Sequence, residues 1–460
     1  MSTGPVTSAE FDPAAFDVAA YTRLAPTELE FDLATGELSF SYELTGSAAP
    51  LVFTERLVLP VREALAPDNV AAVAAVLGLA HLVGGISYAK AAAVTTIEVG
   101  EVTAAELQLL LGVYRDGMAE FAYTNDLPAV LETQLEATVV ADEVLPFAFD
   151  PDAPLVACGG GKDSIVSLEA LRRSGRTPRS FVVNPNAITS GVVERSGSVL
   201  LEVTRALDPR LFEINANGAL NGHVPVTALN SLLGVAVSVL HGLGPVVMSN
   251  ESSASSPNLE WHGRPVNHQW SKGIQAERLL RAALASRLGP DAELYFSLLR
   301  HLNELTIAAL FAKITGYDDV VTSCNRAFTI TRNSGVRWCR DCPKCRFVFL
   351  ALAPFTHRDR LVAIFGGDML RDESQLVGYR ELLGLKDFKP FECVGDLDES
   401  LAAAAHLARL PEWSDAAVIH ALAEEIAVSG RPVPSLDSIL AQRSTTLAPA
   451  EYVKALDAAE

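Results

Sequence analysis

The spacing of hydrophobic and polar residues differs between the two halves of the chain. Near the N-terminus, apolar and polar residues alternate, which is typical of strands with one buried face. The turn residues Ala34-Thr35-Gly36 separate the first two alternating segments and indicate a hairpin. Segments with apolar residues at helical spacing follow. We predict strands at 29–33, 37–44 and 51–59, helices at roughly 66–82 and 103–122, and an α+β domain over residues 1–150.

From residue 155 onward, short apolar segments alternate with stretches of helical spacing. This alternation predicts an α/β fold with a doubly wound parallel sheet, in which the polar residues after each strand meet at the ligand-binding edge. After about residue 396 the chain becomes rich in alanine, acidic and helical in pattern. We therefore predict a catalytic domain over 151–395 and a helical C-terminal extension over 396–460. Its strands are predicted at 155–158, 181–183, 211–214 and 245–249, and a helix at 226–241.

Composition restricts the location and the partners of the protein. Of the 460 residues, 49% are hydrophobic and 20% are charged, which is typical of a globular protein. The formal net charge of −20 argues against a nucleic-acid partner, because phosphate backbones attract clustered Lys and Arg. The N-terminal residues lack the basic start and apolar core of a signal peptide. The uncharged run Val70 to Ala89 contains glycines and His81, so we interpret it as a buried helix followed by a turn and not as a membrane span. We expect a cytoplasmic protein without a membrane partner.

The run Cys158-Gly-Gly-Gly-Lys-Asp-Ser164 connects a predicted strand to a predicted helix. Its glycines let backbone N–H groups approach an anion at the start of that helix. A kinase-type phosphate loop is excluded, because Val156 and Asp163 stand where Gly and Ser or Thr are required. The Gly-Gly-x-Asp-Ser motif resembles the loop of the ATP pyrophosphatases, which cleave ATP between its α- and β-phosphates. An ordinary glycine turn is the alternative. We assign to the binding of ATP and Mg²⁺ the residues Gly159, Gly160, Gly161, Lys162, Asp163 and Ser164.

Four of the six cysteines lie within 22 residues, in the spacing C-x₁₄-C-x₂-C-x₂-C. In a cytosolic chain this spacing predicts a metal site and not a disulfide framework. Four thiolates suit a structural Zn²⁺, an iron–sulfur cluster is the main alternative, and unligated buried cysteines are a third. The proposed ligands are Cys324, Cys339, Cys342 and Cys345. Nearby cations can stabilise the metal site or face substrate phosphates, and they are Arg326, Arg332, Arg337, Arg340, Lys344 and Arg346.

Polar clusters supply further candidate chemistry at the predicted strand ends. They span residues 221–225, 249–253 and 266–273, and they contain His223, His268 and Lys272. A single histidine is usually a structural hydrogen-bonding residue, so the three clusters together carry the interpretation. We interpret Cys158 and Cys393, which lie outside the four-cysteine cluster, as packing residues.

These clusters resemble the UDP-N-acetylmuramoyl-L-alanyl-L-glutamate epimerases of the MurL type, over roughly residues 20–400. The resemblance is specific in the second half of that range and looser in the N-terminal part. It implies an ATP pyrophosphatase-type sheet, ATP and Mg²⁺ as cofactors, and inversion of the terminal L-Glu of a UDP-linked muramoyl dipeptide. The motifs are Asn-Gly-His-Val-Pro-Val-Thr-Ala at 221–228, Ser-Asn-Glu-x-Ser-Ala-Ser at 249–255, Val-Asn-His-Gln-Trp-Ser-Lys-Gly at 266–273, Ser-Cys-Asn-Arg at 323–326, the cysteine-rich run 338–355 and Lys-Pro-Phe-Glu-Cys-Val-Gly at 389–395.

Adenylation of the glutamate carboxylate explains why such an inversion consumes ATP. Removing the α-proton beside a free carboxylate places a second negative charge on that carboxylate. Forming an acyl-adenylate first removes the original charge and makes the Cα–H more acidic. Inversion then needs a base on one face and an acid on the other, which we assign to His223, His268 or Lys272. A tRNA thiolase, a 7-cyano-7-deazaguanine synthase-like ligase and an inactive nucleotide-binding module are the alternatives. The acidic composition argues against the thiolase. The N-terminal domain and the 266–273 loop argue against the ligase, and the intact Asp163-Ser164 argues against the inactive module.

Overall fold

The computed structural model describes residues 12–61, 67–290, 293–328, 337–386 and 389–458. Within these ranges the strands are β1 (Tyr21–Phe31), β2 (Glu37–Gly46), β3 (Leu51–Val58), β4 (Thr96–Thr103), β5 (Gln134–Val140), β6 (Leu155–Ala157), β7 (Arg179–Val183), β8 (Leu200–Ala206), β9 (Val246–Met248), β10 (Leu259–Trp261), β11 (Arg264–Val266) and β12 (Tyr295–Ser297). The α-helices are α1 (Pro67–Gly84), α2 (Ile86–Ala89), α3 (Ala104–Tyr114), α4 (Ala119–Thr124), α5 (Lys162–Arg173), α6 (Ala187–Ser196), α7 (Pro209–Ala216), α8 (Val226–His241), α9 (Ile274–Leu288), α10 (Glu304–Ala312), α11 (Pro343–Leu352), α12 (Arg358–Phe365), α13 (Leu376–Leu382), α14 (Leu397–Leu407), α15 (Ala417–Ser429), α16 (Leu436–Leu440) and α17 (Ala450–Asp457).

Ten strands form one mixed sheet in the order β12-β9-β6-β7-β8-β3-β2-β1-β4-β5. The strands from β12 to β8 are parallel, those from β8 to β1 are antiparallel, and β1, β4 and β5 are parallel again. The two predicted domains share this sheet, because β3 pairs with β8 and places Arg56 opposite Ala206. The boundary at residue 150 therefore divides one sheet, and its status as a domain boundary stays a prediction.

The parallel half has the strand order of a doubly wound fold. Numbered by position in the chain, β6, β7, β8, β9 and β12 lie in the order 3-2-1-4-5, so the direction of winding reverses between β6 and β9. Consecutive strand residues point into different cores: Leu155 and Val246 join one, whereas Val156 and Val247 join the other. Apolar layers thus cover both faces, and loops diverge at the carboxyl ends of β6 and β9, where such sheets bind ligands.

The N-terminal elements follow the predicted pattern. Gly36 has φ +80°, which suits the turn between β1 and β2. The long apolar helix predicted to be buried is α1, which packs against α8. The segment Asn69–Ala92 has the length and composition of a membrane span, but 67% of its most apolar window is buried inside the protein. The interpretation as a core helix is therefore supported.

Two secondary-structure predictions were wrong in part or in full. The helix expected over 103–122 is split into α3 and α4 by a 3₁₀ turn at Asp116–Met118, where Gly117 packs so closely against Pro225 that a Cβ atom would lie 2.8 Å from that ring. Residues 211–214, predicted as a strand, lie in α7. Asp208 caps this helix and Pro209 occupies its first turn, so a local start signal prevailed over a short apolar run.

The C-terminal extension is helical, as predicted. Leu407 of α14, Leu422 of α15 and Leu456 of α17 join the core on the α5 face of the sheet, together with Trp413 from the 3₁₀ turn between α14 and α15. The extension therefore forms part of the layer that covers the parallel strands.

Candidate functional site

A cavity of about 400 Å³ opens at the switch point between β6 and β9. Loops that follow β6, β7 and β9 form part of its wall, and segments from far along the chain complete it. The polar groups on its wall include Gly159, Gly161, Asp163, Ser164, Asn184, Asn186, Thr189, Thr227, Asn230, Ser249, Asn250, Lys272, Thr322, Ser323, Asn325, Lys344 and Cys393.

The glycine loop sits where a strand gives way to a helix, as its sequence predicts. Gly160 has φ +79°, and a Cβ atom there would lie 2.9 Å from Ile188. A Cβ on Gly161 would lie 2.6 Å from the hydroxyl of Ser323. Gly159 has open space around it and lines the cavity. The first N–H groups of α5 have no partner within the helix, so the loop presents donors and the positive end of a helix dipole to the cavity.

Lys162, which was predicted to bind the nucleotide, is buried behind the cavity wall. Its buried ammonium contacts the carboxylates of Asp163 and Glu304. Burial lowers the pKa of Lys162, but these two negative charges outweigh that effect and raise it above its usual value. Burial likewise opposes the ionisation of Glu304, yet Lys162 and Lys344 lower the pKa of this carboxyl to about 2. The ion pair fixes the first turn of α5, and Asp163 remains on the cavity wall.

The four cysteines with metal-ligand spacing come together in space. Their sulfur atoms all lie within 4.8 Å of one another, and the Sγ atoms of Cys339 and Cys345 are 3.7 Å apart. Tetrahedral bonds of about 2.3 Å to one Zn²⁺ require sulfur separations of about 3.8 Å. The donor set and its size therefore fit a single zinc ion. An iron–sulfur cluster spreads its ligands over several irons and fits this compact arrangement less well.

The cysteine cluster supports part of the cavity wall. Thr322 and Ser323 precede Cys324, and Lys344 lies between Cys342 and Cys345; all three of these neighbours line the cavity.

The cations around the cysteines have separate partners. Lys344 faces the cavity and lies 3.5 Å from Glu304. Arg326 and Arg346 pair with Asp341, at 2.9 and 3.1 Å. Arg337 and Arg340 donate hydrogen bonds to backbone carbonyls, and Arg332 lies outside the described residues. Only Lys344 among the described cations of this group is therefore positioned to face a substrate.

His223 and His268 are neighbours, with ring centroids 4.3 Å apart. The Nδ1 atom of His268 lies 2.5 Å from a carboxylate oxygen of Glu120, a residue of α4. Burial lowers the pKa of His268, but hydrogen bonds to Cys393 and Glu120 raise it to about 9. Burial and the positive charge of His268 lower the pKa of His223 to about 4. At neutral pH one imidazole is cationic and the other is neutral.

Lys272 and Cys393 form the second part of this cluster, and both line the cavity. The Nζ atom of Lys272 donates a hydrogen bond to the sulfur of Cys393 over 3.1 Å. The negative charge of Cys393 raises the pKa of Lys272. Burial raises the pKa of Cys393, but the charge of Lys272 and a hydrogen bond from His268 lower it to about 5. Cys393 thus faces the cavity beside cationic side chains, an arrangement that favours its thiolate and that the interpretation as a packing residue did not include.

Sequence reasoning also missed Glu120, Asn184 and Asn230. Glu120 lies in the N-terminal part, far from the motifs, and carried no local signal. Asn184 follows β7 and adopts φ +52°, so the rule that polar residues at strand ends face ligands could have found it. Asn230 is on the cavity side of α8 and its Oδ1 has no hydrogen-bond partner among the described residues. For Cys393, the available signal was its place in the motif at 389–395.

The fold and the cavity define an α/β protein with a glycine loop and a thiol–amine–imidazole cluster at one sheet edge. A MurL N-terminal domain model matches residues 15–298, and a MurL C-terminal domain model matches residues 320–434. The chain belongs to this family of epimerases. Family membership favours epimerisation over the thiolase and ligase alternatives.

Three similar relatives carry the name UDP-N-acetyl-alpha-D-muramoyl-L-alanyl-L-glutamate epimerase. The protein from Micromonospora sp. is 53% identical over 433 residues, which cover 92% of this chain and 95% of the relative. The protein from Salinispora tropica is 51% identical and covers 93% of each chain. The protein from Xanthomonas oryzae pv. oryzae is 43% identical over 79% of this chain and 81% of its own length. No solved structure matches the chain significantly.

Proposed function

We propose that the protein inverts the terminal L-Glu of UDP-N-acetylmuramoyl-L-alanyl-L-Glu to D-Glu, consuming ATP and releasing AMP and diphosphate. The observation that carries this proposal is that the phosphate-type loop and the Lys272–Cys393 pair face the same cavity. One reactant can therefore meet both the nucleotide and a proton-transfer group without leaving the site. The reaction belongs to peptidoglycan precursor synthesis, which we expect in the cytoplasm.

The nucleotide is held at the start of α5. Backbone N–H groups at Gly159 and Gly161 and the hydroxyl of Ser164 suit phosphate oxygens. Asp163 supplies a carboxylate for Mg²⁺, which screens the phosphate charge when bound. Lys344, in the first turn of α11, adds a positive charge to the wall of the same cavity. The strand order and the loop at the first βα turn support a sheet of the ATP pyrophosphatase type.

Adenylation changes the acidity of the glutamate Cα–H. A free carboxylate opposes the build-up of further negative charge on its own carbon, whereas an acyl-adenylate is an ester-like group that accepts it. The cationic Lys272 lies on the cavity wall, and the cationic His268 lies behind Cys393. Both stabilise an enolate electrostatically, because a developing negative charge in a partly desolvated site interacts strongly with fixed cations. Hydrolysis of the adenylate releases the inverted product.

The four-cysteine site holds a structural Zn²⁺ in this proposal. Its function is to fix the positions of Ser323 and Lys344, because these residues adjoin the ligands in sequence. The acidic composition of the chain agrees with a small anionic substrate held by a few local cations and with the absence of a nucleic-acid partner.

The decisive experiment incubates the purified protein with the muramoyl dipeptide, ATP and Mg²⁺ in D₂O. We expect AMP formation that depends on the dipeptide, D-Glu on chiral analysis after hydrolysis, and one deuterium at its Cα. Product D-Glu without deuterium would contradict inversion by proton exchange. Product formation without AMP would contradict the adenylate.

A further inference from the structure

We propose that Cys393 is the base that removes the α-proton of the activated glutamate, and that Lys272 and His268 hold it in its reactive form. This inference rests on the proposed epimerase function and assigns the reacting atom within it. The argument begins from position: the thiol lies on the wall of the same cavity as the glycine loop, although 121 residues separate it from Lys272 in the chain.

The surroundings of Cys393 differ from those of Cys158, the other cysteine on the cavity wall. Burial raises the pKa of Cys158 above its usual value, so that sulfur remains a thiol. Cys393 instead faces the ammonium of Lys272 at 3.1 Å and the cationic imidazole of His268. Lys344 adds a further positive charge, and Glu392 is the acidic neighbour whose charge opposes them. A packing cysteine needs no such cations, whereas a reactive thiolate does.

Lys272 and His268 are both held in place by hydrogen bonds to neighbouring residues. The backbone carbonyl of Lys272 accepts a hydrogen bond from the buried Arg300, which also pairs with Glu277 at 2.8 Å. His268 is oriented by Glu120, and its backbone N–H donates to Asn258 at 3.0 Å. The cluster is therefore organised before substrate binds, as a proton-transfer site requires.

The other titratable groups of the cluster suit the role of base less well. His268 is cationic at neutral pH and is held by Glu120. His223 is neutral but does not line the cavity, and Lys272 is an ammonium. Asp163 pairs with Lys162 through one carboxylate oxygen and is assigned to Mg²⁺ at the phosphate loop. Burial, Glu304 and Asp163 raise the pKa of Glu251 to about 7, and that residue also lies behind the wall.

The proposed step balances in atoms and charge. The Cα–H bond breaks, its proton forms an S–H bond on Cys393, and its electron pair moves into the adenylate carbonyl to give an enolate. Water on the opposite face protonates Cα and becomes hydroxide, and after the product leaves, the thiol releases its proton to solvent, where it neutralises that hydroxide. The thiolate–ammonium pair is thereby restored.

The test separates proton abstraction from adenylation. In Cys393→Ser the hydroxyl stays protonated, so we expect D-Glu formation and exchange of the Cα proton to fall by about 100-fold or more. Dipeptide-dependent release of AMP should stay within about tenfold of wild type, because the glycine loop is unchanged. D-Glu formation within about tenfold of wild type would overturn the proposal. Wild-type protein that makes neither AMP nor D-Glu would instead overturn the proposed function.

A second measurement decides the case in which Cys393→Ser loses both activities. Wild-type protein is treated with iodoacetamide from pH 4 to 10, and the alkylation of each cysteine is followed by mass spectrometry. We expect Cys393 to react with a midpoint near pH 5 and to be protected by the dipeptide, while Cys158 stays unreactive at neutral pH. Reaction of Cys393 only above about pH 8 would show an ordinary thiol and overturn the proposal.

Discussion

The backbone N–H of Thr322 donates a hydrogen bond to the carbonyl oxygen of Gly160 over 3.1 Å. This contact joins the glycine loop to the segment that leads into Cys324. The hydroxyl of Ser323 occupies the space beside Gly161 that a side chain would otherwise take. The cysteine site and the glycine loop are thus in direct contact through residues 322–323, so a substitution in one should alter the structure of the other.

Replacement of one metal-ligand cysteine should therefore affect both stability and nucleotide binding. We expect Cys339→Ser to lose bound zinc and to lower the free energy of unfolding by on the order of 3 kcal/mol, because metal binding contributes folding free energy. The affinity for ATP should fall as well, since Ser323 and Lys344 lose their support. Metal analysis, denaturant unfolding and ATP titration measure these three effects. A stable, zinc-free and fully active variant would contradict a structural zinc.

Gly159 offers a cleaner test of the phosphate loop than Gly160. A side chain at Gly160 meets Ile188 and requires a strained φ, so loss of activity there can reflect misfolding. A side chain at Gly159 meets open space and projects into the cavity. We expect Gly159→Val to keep its thermal stability and to raise the KM for ATP by about tenfold to 100-fold, the cost of losing one charged hydrogen bond.

The matched control for this variant is Gly316→Val. Gly316 also has open space around it and lies outside the cavity wall. It should change neither stability nor the KM for ATP. Equal kinetic effects in the two variants would exclude Gly159 from the nucleotide site.

The pair formed by Glu120 and His268 should produce a distinct pH dependence. The pKa of His268 is raised to about 9 from an ordinary 6.5, so its contribution to stability is fully present below pH 6.5 and is lost as the pH rises through 9. Glu120→Gln removes the carboxylate, so the pKa of His268 should fall and the variant should lose about 2 kcal/mol of stability at pH 6. NMR titration of labelled histidine and denaturant unfolding at pH 6 and 10 check both effects. An unchanged His268 titration would refute the pairing.

Some elements of the fold were predictable because their signals are local. The run 155–164 combines a strand, three glycines and a helix start within a few residues, and α8 coincides with the apolar helix predicted at 226–241. The strand predicted at 211–214 was wrong, because a run of four mostly apolar residues fits a strand or a helix equally well. The helix start signal at Asp208-Pro209, which lies just before the run, decided for the helix.

The sequence by itself determined the glycine loop between a strand and a helix, the metal-type spacing of the cysteines and the family. The tertiary structure alone decided that Cys393 is a charged group of the site, that Lys162 lies behind the wall, and that Glu120 reaches His268 across 148 residues of chain. The physical reason is the range of the interactions. Helix starts and turns depend on neighbours in sequence, whereas the ionisation of a thiol or an imidazole depends on the charges and burial that folding brings around it.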